Sequence, residues 1–150
     1  MAVDPTTLRQ DVYTAIRTLL VANKPSYDYD STTFEYSIVA EYGGQSVDFP
    51  YIVINPANAK PELLNIDGSG EDYVVNVQLD FYAIEQHRKK AIDVGVDSVR
   101  ATFLNNQSGL KSTDGLLLMQ EPFDESNTTP FEDNNQKLNT ASMIIKLKVQ

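Results

Sequence analysis

Residues 73–84 read YVVNVQLDFYAI, and within a few residues this alternating pattern gives way to the helical stretch 85–106, EQHRKKAIDVGVDSVRATFLNN. In the first part Val75, Val77, Leu79, Phe81 and Ala83 share one face, and Asn76, Gln78, Asp80 and Tyr82 share the other, the period of two that defines a half-buried strand. After Gln86 the apolar residues Ile92, Val96, Val99 and Phe103 recur at steps of four, three and four, which places them on one stripe of an amphipathic helix. A long strand that feeds a long helix needs a sheet carrying helices on its apolar side.

The rest of the chain is read around that junction. Asp4 as N-cap, Pro5 at the first helical position and the stripe Leu8, Val12, Ala15, Ile16, Leu19 and Leu20 predict a helix over 5–23, ended by Asn23-Lys24-Pro25. A polar turn, PSYDYDSTT, follows, and residues 34–41 alternate as a first strand closed by Gly43-Gly44. Phe49-Pro50-Tyr51-Ile52-Val53-Ile54 is a nearly continuous apolar run, the pattern of a strand covered on both faces. Two prolines and two glycines in 55–72 predict an irregular surface excursion.

Beyond the second helix, Asn105 to Gly109 supply a stop, and residues 115–119 read as a short buried strand. Residues 121–139, rich in acids and asparagine, predict a second mobile excursion. The last strand carries Met143, Ile145, Leu147 and Val149 on one face with Lys146 and Lys148 on the other. The order α-β-β-β-α-β-β predicts one α+β domain over 1–150, with a mainly antiparallel sheet of four to five strands and two helices on one face.

Composition removes whole classes of chemistry. The absence of cysteine excludes disulfides, thiolate catalysis and cysteine-ligated metal centres. No basic leader precedes an apolar run, and no stretch approaches the ~20 apolar residues of a membrane helix, so neither a cleaved secretion signal nor a membrane partner is expected. A net charge of −9 argues against binding by phosphate neutralisation.

No catalytic, cofactor or metal site is predicted. The single histidine, His87, stands before Arg88-Lys89-Lys90 and is read as part of a solvent-facing turn and not as a triad member. Asp28, Asp30 and Glu35 have a calcium-loop look, but the central glycine is missing and Val39 stands where a bidentate glutamate belongs. Gly68-Ser69-Gly70 has no following lysine and opens no helix, so it is a turn and not a phosphate loop. Asn106-Gln107-Ser108 and Asn127-Thr128-Thr129 match the glycosylation pattern by chance. Glu121, Asp124, Glu125, Glu132 and Asp133 could furnish an acid pair for glycoside chemistry, yet without tryptophan platforms a hydrated charged loop is the simpler reading.

Taken together, the Pro50-Tyr51-Ile52-Val53-Ile54 strand, a long loop, the strand with Tyr73, Val75, Val77, Leu79, Phe81 and Tyr82, and a helix containing Ala91 and Ile92 resemble the tail-terminator (tail-completion) proteins of long-tailed bacteriophages and related viruses. The matched stretch runs over 50–103, with the N-terminal helix and the terminal MIIKLKV in compatible places. The resemblance implies a virion structural protein, not an enzyme: a homo-hexameric ring that caps the tail tube protein, stops its polymerisation and meets the head-side connector or neck protein. DNA would pass through the ring without specific binding, as an acidic lining allows. The excursion over 121–139 is longer than that pattern requires.

From element position, Asn55, Lys60, Leu63, Leu64, Arg88, Lys89 and Lys90 are expected at a subunit or partner interface. Asp67, Glu71, Asp72, Glu121, Asp124 and Glu125 are expected to face the channel or connector. The alternatives are a head-completion or neck protein of the same virus class, a small enzyme or binding domain built on the acidic loop, and an adaptor that binds peptides at a strand edge.

Overall fold

The computed structural model describes residues 8–39, 49–55, 60–62, 72–126, 128–133 and 136–149. The fold is α+β. Helix α1 (Leu8–Ala22) leads into a hairpin of β1 (Ser26–Tyr29) and β2 (Thr32–Glu35), followed by β3 (Ser37–Val39), β4 (Tyr51–Asn55), β5 (Lys60–Glu62) and β6 (Asp72–Ile84). A 3₁₀ turn at Glu85–His87 opens helix α2 (Arg88–Asn105), and β7 (Leu116–Glu125), β8 (Thr129–Asp133) and β9 (Gln136–Val149) complete the chain.

Strand β6 stands at the centre because its alternation suits a sheet with one apolar face. It pairs antiparallel with β9 over twelve residues, from Tyr73 opposite Val149 to Ile84 opposite Leu138. Strand β4 lies on its other side, and the sheet runs β3-β4-β6-β9-β7, with β5 beside β6 and β8 beside β9. The β3–β4 pair is parallel and every other pair is antiparallel.

Val75, Val77, Leu79, Phe81 and Ala83 are wholly buried, as are Met143, Ile145 and Leu147 on β9. Val12, Ile16 and Leu20 of α1 and Ile92, Val96, Val99 and Phe103 of α2 join them in one core, so both helices cover the same sheet face. Each fully buried Val, Leu or Phe contributes about 1.5–3 kcal/mol relative to exposure, which makes this strand–helix sandwich the dominant source of stability. All of Tyr51 to Ile54 are buried, in keeping with a strand covered on both faces.

Four expectations are corrected. Among the described residues the sheet has seven strands, not four or five, and a further two-stranded sheet stands apart. The polar stretch 25–33 is not simply a turn: most of it forms β1 and the start of β2, closed by Asp30 and Ser31 at φ 51° and 65°. Two successive positive φ values make the tight hairpin whose twist suits strands, but the usual Asn-Gly signal is missing.

The stretch 121–139 is likewise ordered where described. Strand β7 continues to Glu125, and β8 pairs with β9 from Thr129 opposite Thr140 to Asp133 opposite Gln136. Between Leu118 and Phe123 the register slips, the four residues 119–122 of β7 standing against Lys146 alone on β9, with Pro122 inside the bulge. A bulge and a proline both suit an edge strand because they blunt pairing with foreign strands. The second helical segment also extends beyond the expected stop: a turn at Gln107–Gly109 and a π-helical stretch at Leu110–Asp114 follow before Gly115, at φ 68°, turns the chain into β7.

None of the described helices is long and apolar enough to cross a membrane.

Candidate functional site

Of the expected interface residues, Asn55 and Lys60 lie on strands that flank one side of β6. Asn55 ends β4 opposite Gln78 and is exposed. Lys60 opens β5, a short strand inside the stretch read as irregular, and its backbone pairs opposite Val74. Leu63, Leu64, Asp67 and Glu71 lie outside the described residues. Asp72 begins β6 opposite Glu62.

Arg88, Lys89 and Lys90 form the first turn of α2, and Lys90 is exposed. The N-terminus of a helix carries the positive end of its dipole, so cations there are unfavourable by a few tenths to about 1 kcal/mol each. That turn holds no acidic residue, and His87 before it makes no side-chain capping hydrogen bond. A local rule broken in this way is the kind of compromise that proteins keep at functional surfaces.

His87 corrects the sequence reading most clearly. It is 6% exposed and not part of a solvent-facing turn. The 3₁₀ turn at Glu85–His87 carries it inward against the β1–β2 hairpin, where its Nδ1 is 2.9 Å from the Tyr27 hydroxyl. The Tyr29, Phe34 and Tyr27 rings surround it at centroid distances of 4.0, 4.7 and 5.8 Å. Burial lowers the pKa of His87 and pushes the Tyr27 hydroxyl up to about 12. A neutral imidazole and a protonated phenol pair as acceptor and donor, which fixes a hairpin that is not part of the main sheet. The sequence signal was the row Tyr27, Tyr29, Phe34, hidden because the hairpin itself was read as a turn.

The acidic cluster is dispersed by the strand period. Asp124 and Glu125 are neighbours on β7, so they point to opposite faces. Asp124 pairs with Lys146 on the face away from the helices, at 3.5 Å. Glu125 accepts from Arg100 of α2 through Nε, at 2.8 Å, and through Nη2, while Arg100 Nη1 reaches Asp97 at 2.9 Å. The two carboxylates therefore fasten the edge strand to β9 and to α2, and are not one free acidic loop. Glu121 lies in the bulged part of β7 and Glu132 is exposed on β8.

Asp28, Asp30 and Glu35 are exposed and distributed along the hairpin, with the Thr33 hydroxyl donating to Asp28 at 2.6 Å and Lys24 3.6 Å from Glu35. Among the described residues, no three His, Asp or Glu side chains gather as a group that could hold a metal ion. A shallow pocket of about 340 Å³ lies at the β8–β9 end, lined by Glu85, Pro130, Glu132, Lys137 and Leu138.

On the face of the sheet turned from the helices, Phe49, Tyr51 and Tyr82 stack at the β4 side, and ordered polar groups occupy part of β6 and β9. Asp80 accepts from Gln78 at 2.8 Å and from the Ser142 hydroxyl at 2.6 Å, and Asn76, Lys146 and Thr140 extend the same surface. Such polar groups suit contact with solvent or with a protein, and among the described residues of this face no nucleophile is hydrogen-bonded to a base. Compared with known protein families and with curated proteins, the chain matches none.

Proposed function

We propose that this chain is a virion structural subunit, not an enzyme, that assembles as a homo-hexameric ring on the end of a phage tail tube. The ring stops tube polymerisation and joins the tail to the head-side connector. It works in the virion at the tail or neck, after assembly in the host cytoplasm, and DNA passes through it without specific binding.

The observation that supports this most is the succession of elements over the stretch that carries the resemblance. Strand β4, short strand β5, long strand β6 and helix α2 follow one another as strand, loop, long strand and helix. The surrounding chemistry is compatible with a scaffold. Acids that could have formed a reactive pair hold strands and a helix together. A net charge of −9 repels phosphate, as a conduit for DNA needs.

The test is the mass of the protein in solution and after addition of tail tubes. The reading requires six copies per tube end. A protein that never binds tubes ends it, and binding to portal complexes in place of tubes favours the neck position.

A further inference from the structure

The β1–β2 hairpin is fastened to the rest of the fold by side chains alone. Among the described residues its backbone hydrogen bonds run between its own two strands and, at its base, from the Tyr36 N–H to the Pro25 carbonyl at 2.9 Å; none reaches α2 or the seven-stranded sheet. A two-stranded hairpin standing alone is marginal in water, so its position depends on what its inner face touches.

That face carries Tyr27, Tyr29 and Phe34, and His87 is the group they close around. Tyr27 also meets the Tyr36 ring edge-on at a centroid distance of 6.3 Å. The one hydrogen bond of the contact runs from the Tyr27 hydroxyl to the imidazole Nδ1.

A proton on His87 changes this contact in two ways. An imidazolium carries hydrogen on both ring nitrogens, so the Tyr27 hydroxyl would have to turn and accept, and its own hydrogen would lose its partner. The charge would also be held away from water, a cost that attraction to the Tyr29 ring, 4.0 Å away, offsets only in part.

The surrounding charges do not meet the ring. Asp28 and Glu35 lie on the hairpin's other face and are exposed, the first accepting from Thr33 and the second 3.6 Å from Lys24. On the histidine's own segment Glu85 and Lys90 are exposed and Arg88 follows in the chain, while the Tyr36 hydroxyl is engaged by the Ala91 carbonyl. Among the described residues no carboxylate lies within ion-pair distance of His87.

We propose that the β1–β2 hairpin is an acid-released flap: protonation of His87 detaches it from α2 while the seven-stranded sheet stays folded. Release uncovers Tyr27, Tyr29 and Phe34 together with the part of α2 beneath them. An open hairpin returns His87 to water and to the ordinary value of 6.5, above the value it has when docked. Opening therefore takes up a proton, and its equilibrium constant rises as pH falls below 6.5, by up to about tenfold per unit, until the docked value is passed.

The experiment is amide hydrogen exchange of the full chain, followed by NMR between about pH 7.5 and 5, each rate divided by the intrinsic rate at that pH. The amides of 26–35 are expected to be at least about a hundredfold less protected than those of β6 and β9 throughout, the mark of an opening that leaves the sheet intact. Their protection should fall by up to about tenfold per unit below pH 6.5 and level off at the pKa shown by the His87 ring protons, which ties the loss to this group in the unaltered protein. His87→Phe keeps a ring in the cage without the charge and should make hairpin protection independent of pH in this window. Hairpin amides as well protected as β6 and β9, protection that does not change with pH, a loss that His87→Phe retains in full, or a His87 titration at or above 6.5 would each overturn the proposal.

Discussion

The ring of Tyr36 lies where a Cβ on Gly95 would be placed: that atom would come within 2.7 Å of the Tyr36 hydroxyl and 2.8 Å of its ring carbon. The hydroxyl donates to the Ala91 carbonyl at 2.6 Å, so the tyrosine cannot withdraw without leaving a buried donor unpaired. An alanine in mid-helix ordinarily gains up to about 1 kcal/mol over glycine, while overpacking a core costs about 1–3 kcal/mol. Gly95→Ala is therefore expected to lower stability, measured by urea unfolding. A more stable variant would show that α2 can shift away from Tyr36.

His87 makes the fold sensitive to mild acid. Its pKa is lowered in the folded protein by burial, so the unfolded chain binds the proton more readily. The stability from a neutral, buried His87 is full above 6.5, the value of a free imidazole, and is lost as pH falls from there through the lowered folded value. His87 is the chain's one histidine, so its ring signals in NMR follow the titration directly. Replacing it with Phe should flatten the part of the stability curve that falls away below pH 6.5. A stability curve that is unchanged by the replacement would contradict the role given to burial.

What the sequence made legible follows from period. Val75 to Ala83 and Ile92 to Phe103 show one pattern each over many residues, and a pattern that long survives tertiary context. The hairpin at 26–35 was not legible because Asp30 and Ser31 supply its positive φ values in place of Asn-Gly, so no turn signal separated two strands of four residues. His87 was misplaced for a related reason: its burial is created by Tyr27, Tyr29 and Phe34, some sixty residues earlier in the chain. The acids of 121–139 read as a hydrated excursion because composition alone cannot reveal that Arg100 and Lys146 wait on opposite faces of β7.

Those two ion pairs differ in weight. Arg100 grips Glu125 through two nitrogens, whereas Lys146 reaches Asp124 at 3.5 Å from a largely exposed carboxylate. Exposed pairs contribute about 0–1 kcal/mol, and forked arginine contacts stand at the upper end. Glu125→Gln should therefore destabilise the protein by about 0.5–1 kcal/mol and Asp124→Asn by less, with both effects shrinking in high salt. The reverse order in thermal melts would contradict the assignment.

Asn139 is wholly buried between Ala83 and Pro130 on neighbouring strands, and its amide nitrogen and oxygen have no hydrogen-bond partner among the described residues. Burying such a group costs about 1–3 kcal/mol. Asn139→Leu, which keeps the approximate size, should raise the unfolding midpoint. A clear fall would show that the amide is hydrogen-bonded in solution.

The central claim concerns assembly, and electron microscopy of tail tubes mixed with the purified protein tests it most directly. The account expects a six-fold ring at one end of each tube and no further growth from that end when tube protein is added. Bare ends that continue to elongate in the presence of folded protein would contradict it.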